Sequence, residues 1–137
     1  MKSIHRICIH LAAVFSAVVF SMSMAHAAED PASEGPYRHV VLFKFKDDAT
    51  AEQVRAIEVA FAELPKQIDG ITGYEWGTNV SPEGLDDEFT HCFFVSFADA
   101  AGLQAYLPHE AHQAFVAKLK PLLDKVCVVD YVAKSGA

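Results

Sequence analysis

Cysteine is scarce in this chain of 137 residues: Cys8, Cys92 and Cys127 are its only thiols. None stands in the CxxC spacing of a redox or zinc site, and so few thiols cannot build a disulfide framework. Cys92 and Cys127 fall inside predicted strands and are expected to pack as small hydrophobes. Positive charge is also short, with 11 Lys and Arg against 18 Asp and Glu and a net charge of −7. A chain of that sign has no basic patch for a phosphate backbone, which excludes nucleic acid as a partner. The metalloprotease pattern HExxH is missing as well.

What is present begins with a leader. Lys2 and Arg6 precede an apolar run from Ile7 to Phe20, and Ala25, His26 and Ala27 supply small residues ahead of a cut. That layout is a secretory signal over residues 1–27. A membrane anchor is the competing reading; the short run, its His10 and the small residues behind it favour the signal, with no stable membrane insertion once it is cleaved. Export is therefore expected, to a periplasm or outside the cell. Loss of Lys2 and Arg6 would take the net charge from −7 to −9. Residues 28–37 (AEDPASEGPY) are acidic, carry two prolines and a glycine and lack an apolar period, so they read as a flexible leader. Residues 38–134 form one domain of ordinary size.

The domain alternates between two periods. His39 to Lys46 (HVVLFKFK) reads as a strand, and from Thr50 the period changes to three and four: Val54, Ile57, Phe61, Leu64 and Ile68 mark a helix to about Ile68. Thr50 and Gln53 have capping-box spacing, and Asp69-Gly70 is the stop. Ile71 to Val80 is a strand weakened by Gly73 and Gly77, followed by a polar loop that turns at Pro82-Glu83-Gly84. His91 to Phe97 (HCFFVSF) is a third strand. Asp99 caps a short helix ending near Leu107, and Pro108 suits the first position of another that runs to about Lys125, with a possible break at Pro121. Val126 to Ala133 is the fourth strand. The order βαββαβ is that of an α+β, ferredoxin-like unit. Crossover rules are expected to set strands one and three side by side and parallel in the middle of the sheet.

On that geometry His39 and His91, each opening a central strand, lie together at one end. Val41, Phe43, Phe93, Val95 and Phe97 share their face by parity. His112 belongs to a stripe with Phe115, Val116, Leu119, Leu122 and Leu123, so it points to the sheet, and the helix dipole at the first turns keeps its ring neutral. Tyr106 can reach the same end, while His109 sits on the rim. Neutral imidazoles on an apolar hollow suit acid-base chemistry near pH 7. The bland alternative is that His39 and His91 bond a carbonyl or the carboxylate of Asp130. It is also the simpler account that Phe43, Phe61, Phe93 and Phe115 are core. Two imidazoles in His109-Glu110-Ala111-His112 fall short of a metal site, so no metal and no cofactor are expected. The other face of the sheet carries Val40, Leu42, Cys92, Phe94, Cys127, Val129 and Tyr131, which predicts a homodimer.

The segments HVVLFKFKDD, YEWG, FTHCFFVSF, YLPHEAHQAF and VVDY, at their present spacings, resemble the stress-responsive dimeric α/β-barrel (Dabb) domain over about Arg38 to Tyr131. The resemblance implies two ferredoxin-like subunits whose sheets pack into a barrel. The family includes a plant cyclase that closes a linear polyketide by aldol condensation. Similarity to it implies a pocket with His112 as the base, Tyr106 as a carbonyl partner, and His39 and His91 as further polar residues. Its apolar lining would be Val41, Phe43, Ile57, Phe61, Phe93, Phe115, Leu123, Val126 and Val128. Two aromatic lining positions of that cyclase are Phe61 and Leu123 here, and its HPAH stretch is HEAH, departures that change the pocket's shape.

The expected function is binding of a small hydrophobic, carbonyl-bearing molecule, with cyclase-like or isomerase-like proton transfer. The other reading is a non-catalytic, stress-associated dimer in which the same side chains only satisfy hydrogen bonds. An open cavity of about 300 Å³ or more reaching His112 favours the first.

Overall fold

Nine residues of alternating burial, Tyr37–Phe45, form β1 and turn His39, Val41, Phe43 and Phe45 inward. The computed structural model describes residues 35–134; the 1–27 signal and residues 28–34 of the leader lie outside them. Thr50 caps α1 (Ala51–Ala62) through a complete capping box. Its Oγ1 accepts from the Gln53 amide at 3.2 Å, and the Thr50 amide donates to Gln53 Oε1 at 2.8 Å. The apolar stripe does run to Ile68, but not on one helix. Pro65 has no amide proton for the Phe61 carbonyl, so α1 ends at Ala62 and a single turn, α2 (Leu64–Gln67), redirects the chain.

The strand β2 (Ile71–Thr78) follows, with a register shift between Ile71 and Gly73, and then β3 (His91–Phe97). Asp99 caps α3 (Ala100–Tyr106) by accepting from the Gly102 amide at 3.1 Å. The next helix, α4 (Glu110–Leu119), is capped by His109 rather than opened by Pro108. It also stops short of Lys125. Pro121 lies in a 3-10 turn, Lys120–Leu122, and β4 (Leu123–Val132) begins at once, so Leu123 is a strand residue and not part of the helical stripe.

The sheet order is β2-β3-β1-β4, and every neighbouring pair is antiparallel. The βαββαβ, ferredoxin-like expectation holds, but the parallel pairing of β1 with β3 does not. The crossover through α1 relates β1 to β2, which run in the same direction because both are antiparallel to β3. Then β3 returns from β2 and fills the gap between them, so it opposes both. His39 is consequently paired with Val95, and His91 with Phe43. Four residues of β1 separate the two imidazoles, about 13 Å at strand rise.

The core lies between the inner face of the sheet and the helices. Phe93, Val95 and Phe97 are fully buried, and Ile57, Phe61, Leu64, Ile68, Leu103, Phe115 and Leu119 close over them. Phe61 stacks on Phe93 with ring centroids 4.5 Å apart and meets Phe115 at 4.7 Å. No helix among the described residues covers the outer face: Val129 and Tyr131 are 49% and 43% exposed, and Val40, Leu42, Cys92, Phe94 and Cys127 are half-buried. Cys92 and Cys127 are free thiols, each paired across the ladder with Leu42. Having β1 between them keeps them about 10 Å apart, two strand spacings and beyond the reach of a disulfide.

Candidate functional site

Three of the expected polar residues meet at one end of the domain. His39 comes from β1, Tyr106 from the last turn of α3 and His112 from the start of α4. The Tyr106 ring centroid lies 5.8 Å from that of His39 and 4.2 Å from that of His112. Local chemistry holds each one. Pro108 ends the α3 segment and leaves the Leu107 carbonyl without a helical partner; His112 Nδ1–H donates to it at 2.9 Å and Gln113 Nε2 at 2.6 Å. His39 Nδ1–H donates to Asp130 Oδ1 at 2.7 Å, across the β1–β4 register. In both rings the bond at Nδ1 leaves Nε2 as the free nitrogen.

The electrostatics follow from burial. Burial holds the His112 pKa below the ordinary imidazole value; the neighbouring His39 and His109 rings act in the same direction, and the bond to the Leu107 carbonyl opposes them. Tyr106 is 1% exposed, and burial, with a smaller contribution from Tyr74, pushes its phenol well above the ordinary value. Its hydroxyl has no hydrogen-bond partner among the described residues. His109 makes a helix cap instead: its Nδ1 accepts from the Ala111 amide at 3.2 Å at the start of α4.

A cavity of about 410 Å³ opens from this cluster. It is lined by His39, Tyr106 and His112 at the polar end and by Val41, Phe43, Phe61 and Phe115 along its floor. Val126 and Val128, 56% and 49% exposed, form its open flank on β4, with Leu123 and Lys120 farther along. Among the expected lining residues, Ile57 and Phe93 are absent from the wall because both are packed wholly into the core.

His91 does not join the cluster. The antiparallel register carries it to the other end of the sheet, where its Nε2–H donates to Glu58 Oε1 at 3.2 Å and its Nδ1 meets Thr90 Oγ1 at 2.8 Å. Glu58 is held in turn by Arg55 at 2.9 Å, and the Trp76 ring lies parallel to the imidazole at 6.3 Å. His91 therefore ties β3 to α1. Glu58 carried no sequence signal beyond flanking the stripe of Ile57 and Phe61. A second buried hydroxyl, Tyr74 Oη, also lacks a partner among the described residues, with its ring 5.5 Å from Phe61 but outside the cavity wall. No group of three or more His, Cys, Asp or Glu among the described residues is arranged to hold a metal ion.

Comparison with known proteins agrees with this architecture. The chain is 34% identical over 99 residues to the stress-response A/B barrel domain-containing protein HS1 of Arabidopsis thaliana, covering 72% of this chain and 91% of that one. It is 26% identical over 97 residues to olivetolic acid cyclase of Cannabis sativa, covering 71% and 96% of the two chains. The solved structure of a dimeric protein of unknown function with a ferredoxin-like fold, from Bacteroides fragilis, superimposes with a TM-score of 0.60 at 27% identity, over 73% of this chain and 98% of that one. Residues 37–133 match the stress responsive A/B barrel domain, so the chain belongs to the Dabb family.

Proposed function

We propose that this protein binds a small hydrophobic molecule bearing a carbonyl group and promotes proton transfer next to that carbonyl. The observation that carries the reading is the buried Tyr106 hydroxyl, which has no partner among the described residues and stands between two imidazoles at the head of an apolar cavity. An unsatisfied buried hydroxyl is costly, and a ligand oxygen would satisfy it. His112 Nε2 takes a proton from the carbon beside the carbonyl. The electron pair of that C–H bond moves to the carbonyl oxygen, which accepts a hydrogen bond from Tyr106 Oη–H. His39, oriented by Asp130, presents its Nε2 to the same end. Passage of that proton from the imidazolium to the enolate oxygen completes a keto–enol isomerisation; attack of the enolate carbon on a second carbonyl of the same molecule, with the imidazolium proton passing to the new alkoxide, would complete a cyclisation, the chemistry named in the cyclase relative.

The proposal includes a homodimer formed through the uncovered sheet face, supported by its exposed Val129 and Tyr131 and by the dimeric B. fragilis relative. It also includes export, which rests on the leader sequence alone. Solvent-deuterium exchange tests the chemistry. In deuterated buffer the protein should catalyse exchange at the α-carbons of 2-undecanone, followed by NMR, and His112→Ala should slow it by about 100-fold or more. Exchange no faster than in buffer would favour the non-catalytic dimer instead.

A further inference from the structure

The far end of the cavity has a charge that the proton-transfer chemistry does not use. Lys120 lines the wall there, at the turn where Pro121 stops α4. In the same turn Lys46 Nζ donates to the Pro121 carbonyl at 2.7 Å. Among the described residues neither lysine has a carboxylate within ion-pair distance. The adjacent acid, Asp124, is engaged by Lys44 at 3.1 Å. A cation in the cavity wall without a carboxylate partner among the described residues stands out in a chain whose net charge is −7. Between this mouth and the histidines the wall is hydrocarbon and aromatic: Val41, Phe43, Phe115, Leu119, Val126 and Val128.

The span can be read from either side. Eight residues of helix separate His112 from Lys120, about 12 Å at helical rise. Four residues of strand separate His39 from Phe43, about 13 Å. We infer that the ligand is a long-chain oxo acid, its ketone at Tyr106 and His112 and its carboxylate at Lys120, with the intervening chain along the apolar floor. This assignment rests on the carbonyl reading of the His–Tyr end and adds to it the chemistry of the opposite end. A carboxylate there meets a lysine that water still reaches, so the pair adds modest affinity and strong selectivity of orientation.

Titration calorimetry of the full chain with two matched probes tests it: 10-oxoundecanoate, which places its two ends at about the required separation, and the uncharged 10-oxoundecanamide. The acid should bind about fivefold more tightly at low salt, and the gap should narrow as salt is added. In Lys120→Gln the ratio should fall to about one, and in Lys120→Glu it should invert. Equal binding of the two probes by the unaltered protein, or a ratio untouched by both substitutions, overturns the oxo-acid assignment and leaves the carbonyl site standing. Failure of both probes to bind overturns the carbonyl site as well.

Discussion

Tyr106 keeps a buried hydroxyl without a partner among the described residues, and that single atom makes a prediction in two directions. Tyr106→Phe removes an unsatisfied buried group while keeping the ring that packs against Phe97 and His112. It should raise stability by about 1 kcal/mol, read as a higher urea midpoint, and slow ketone exchange at the same time. A less stable variant would mean that the hydroxyl is satisfied in solution. His112 supplies a second residue-scale test. Its folded pKa is depressed by burial, so the ring stays neutral to lower pH than an ordinary imidazole at about 6.5. The stability its neutral form contributes is complete above that value and is lost as the pH falls towards and through the folded pKa. The exchange rate should therefore rise along a limb centred below about pH 6.5, absent in His112→Ala; a midpoint at or above that value would dissociate His112 from the rate.

Among the elements, close approach and paired burial decide what can change. A Cβ added at Gly102 would lie 2.8 Å from Phe97 Cβ, because α3 sits directly on β3. Gly102→Ala must push α3 away and should cost about 1–3 kcal/mol in denaturant unfolding, with Tyr106 displaced and exchange slowed as well. The α1–β3 tie makes a contrasting case. Glu58→Ala leaves the buried His91 Nε2–H without its acceptor and should cost about 1–3 kcal/mol in denaturant unfolding, yet leave the exchange rate per folded molecule unchanged. A large loss of rate would bring His91 back into the chemistry. These elements were mostly legible from one-dimensional pattern. The capping box at Thr50, the Asp99 cap and the inward parity of Val41, Phe43, Phe93 and Phe97 all come from local spacing. Helix ends were less legible: the break at Pro121 was readable from the proline itself, whereas Pro65 ends α1 inside an apolar stripe that runs on to Ile68, because a missing amide proton overrides hydrophobic period.

For the whole molecule, the uncovered sheet face carries the strongest test of assembly. Phe94 stands in its middle, with the Arg38 guanidinium 5.7 Å from its ring centroid. Phe94→Glu should halve the mass measured by sedimentation, since a carboxylate buried between two sheets costs more than the contact returns. An unchanged mass would move the interface to another face. By itself the amino-acid order determined the kinds of element, the βαββαβ order and the inward face of β1 and β3, since these follow from period and caps along a local stretch; it offered His39, His91, Tyr106 and His112 as one polar set. Tertiary structure alone decided which imidazoles meet. Strand direction depends on how β3 fills the gap between β1 and β2, a relation between residues far apart in the chain, and its antiparallel outcome joins His39 to Tyr106 and His112 while carrying His91 about 13 Å away to Glu58.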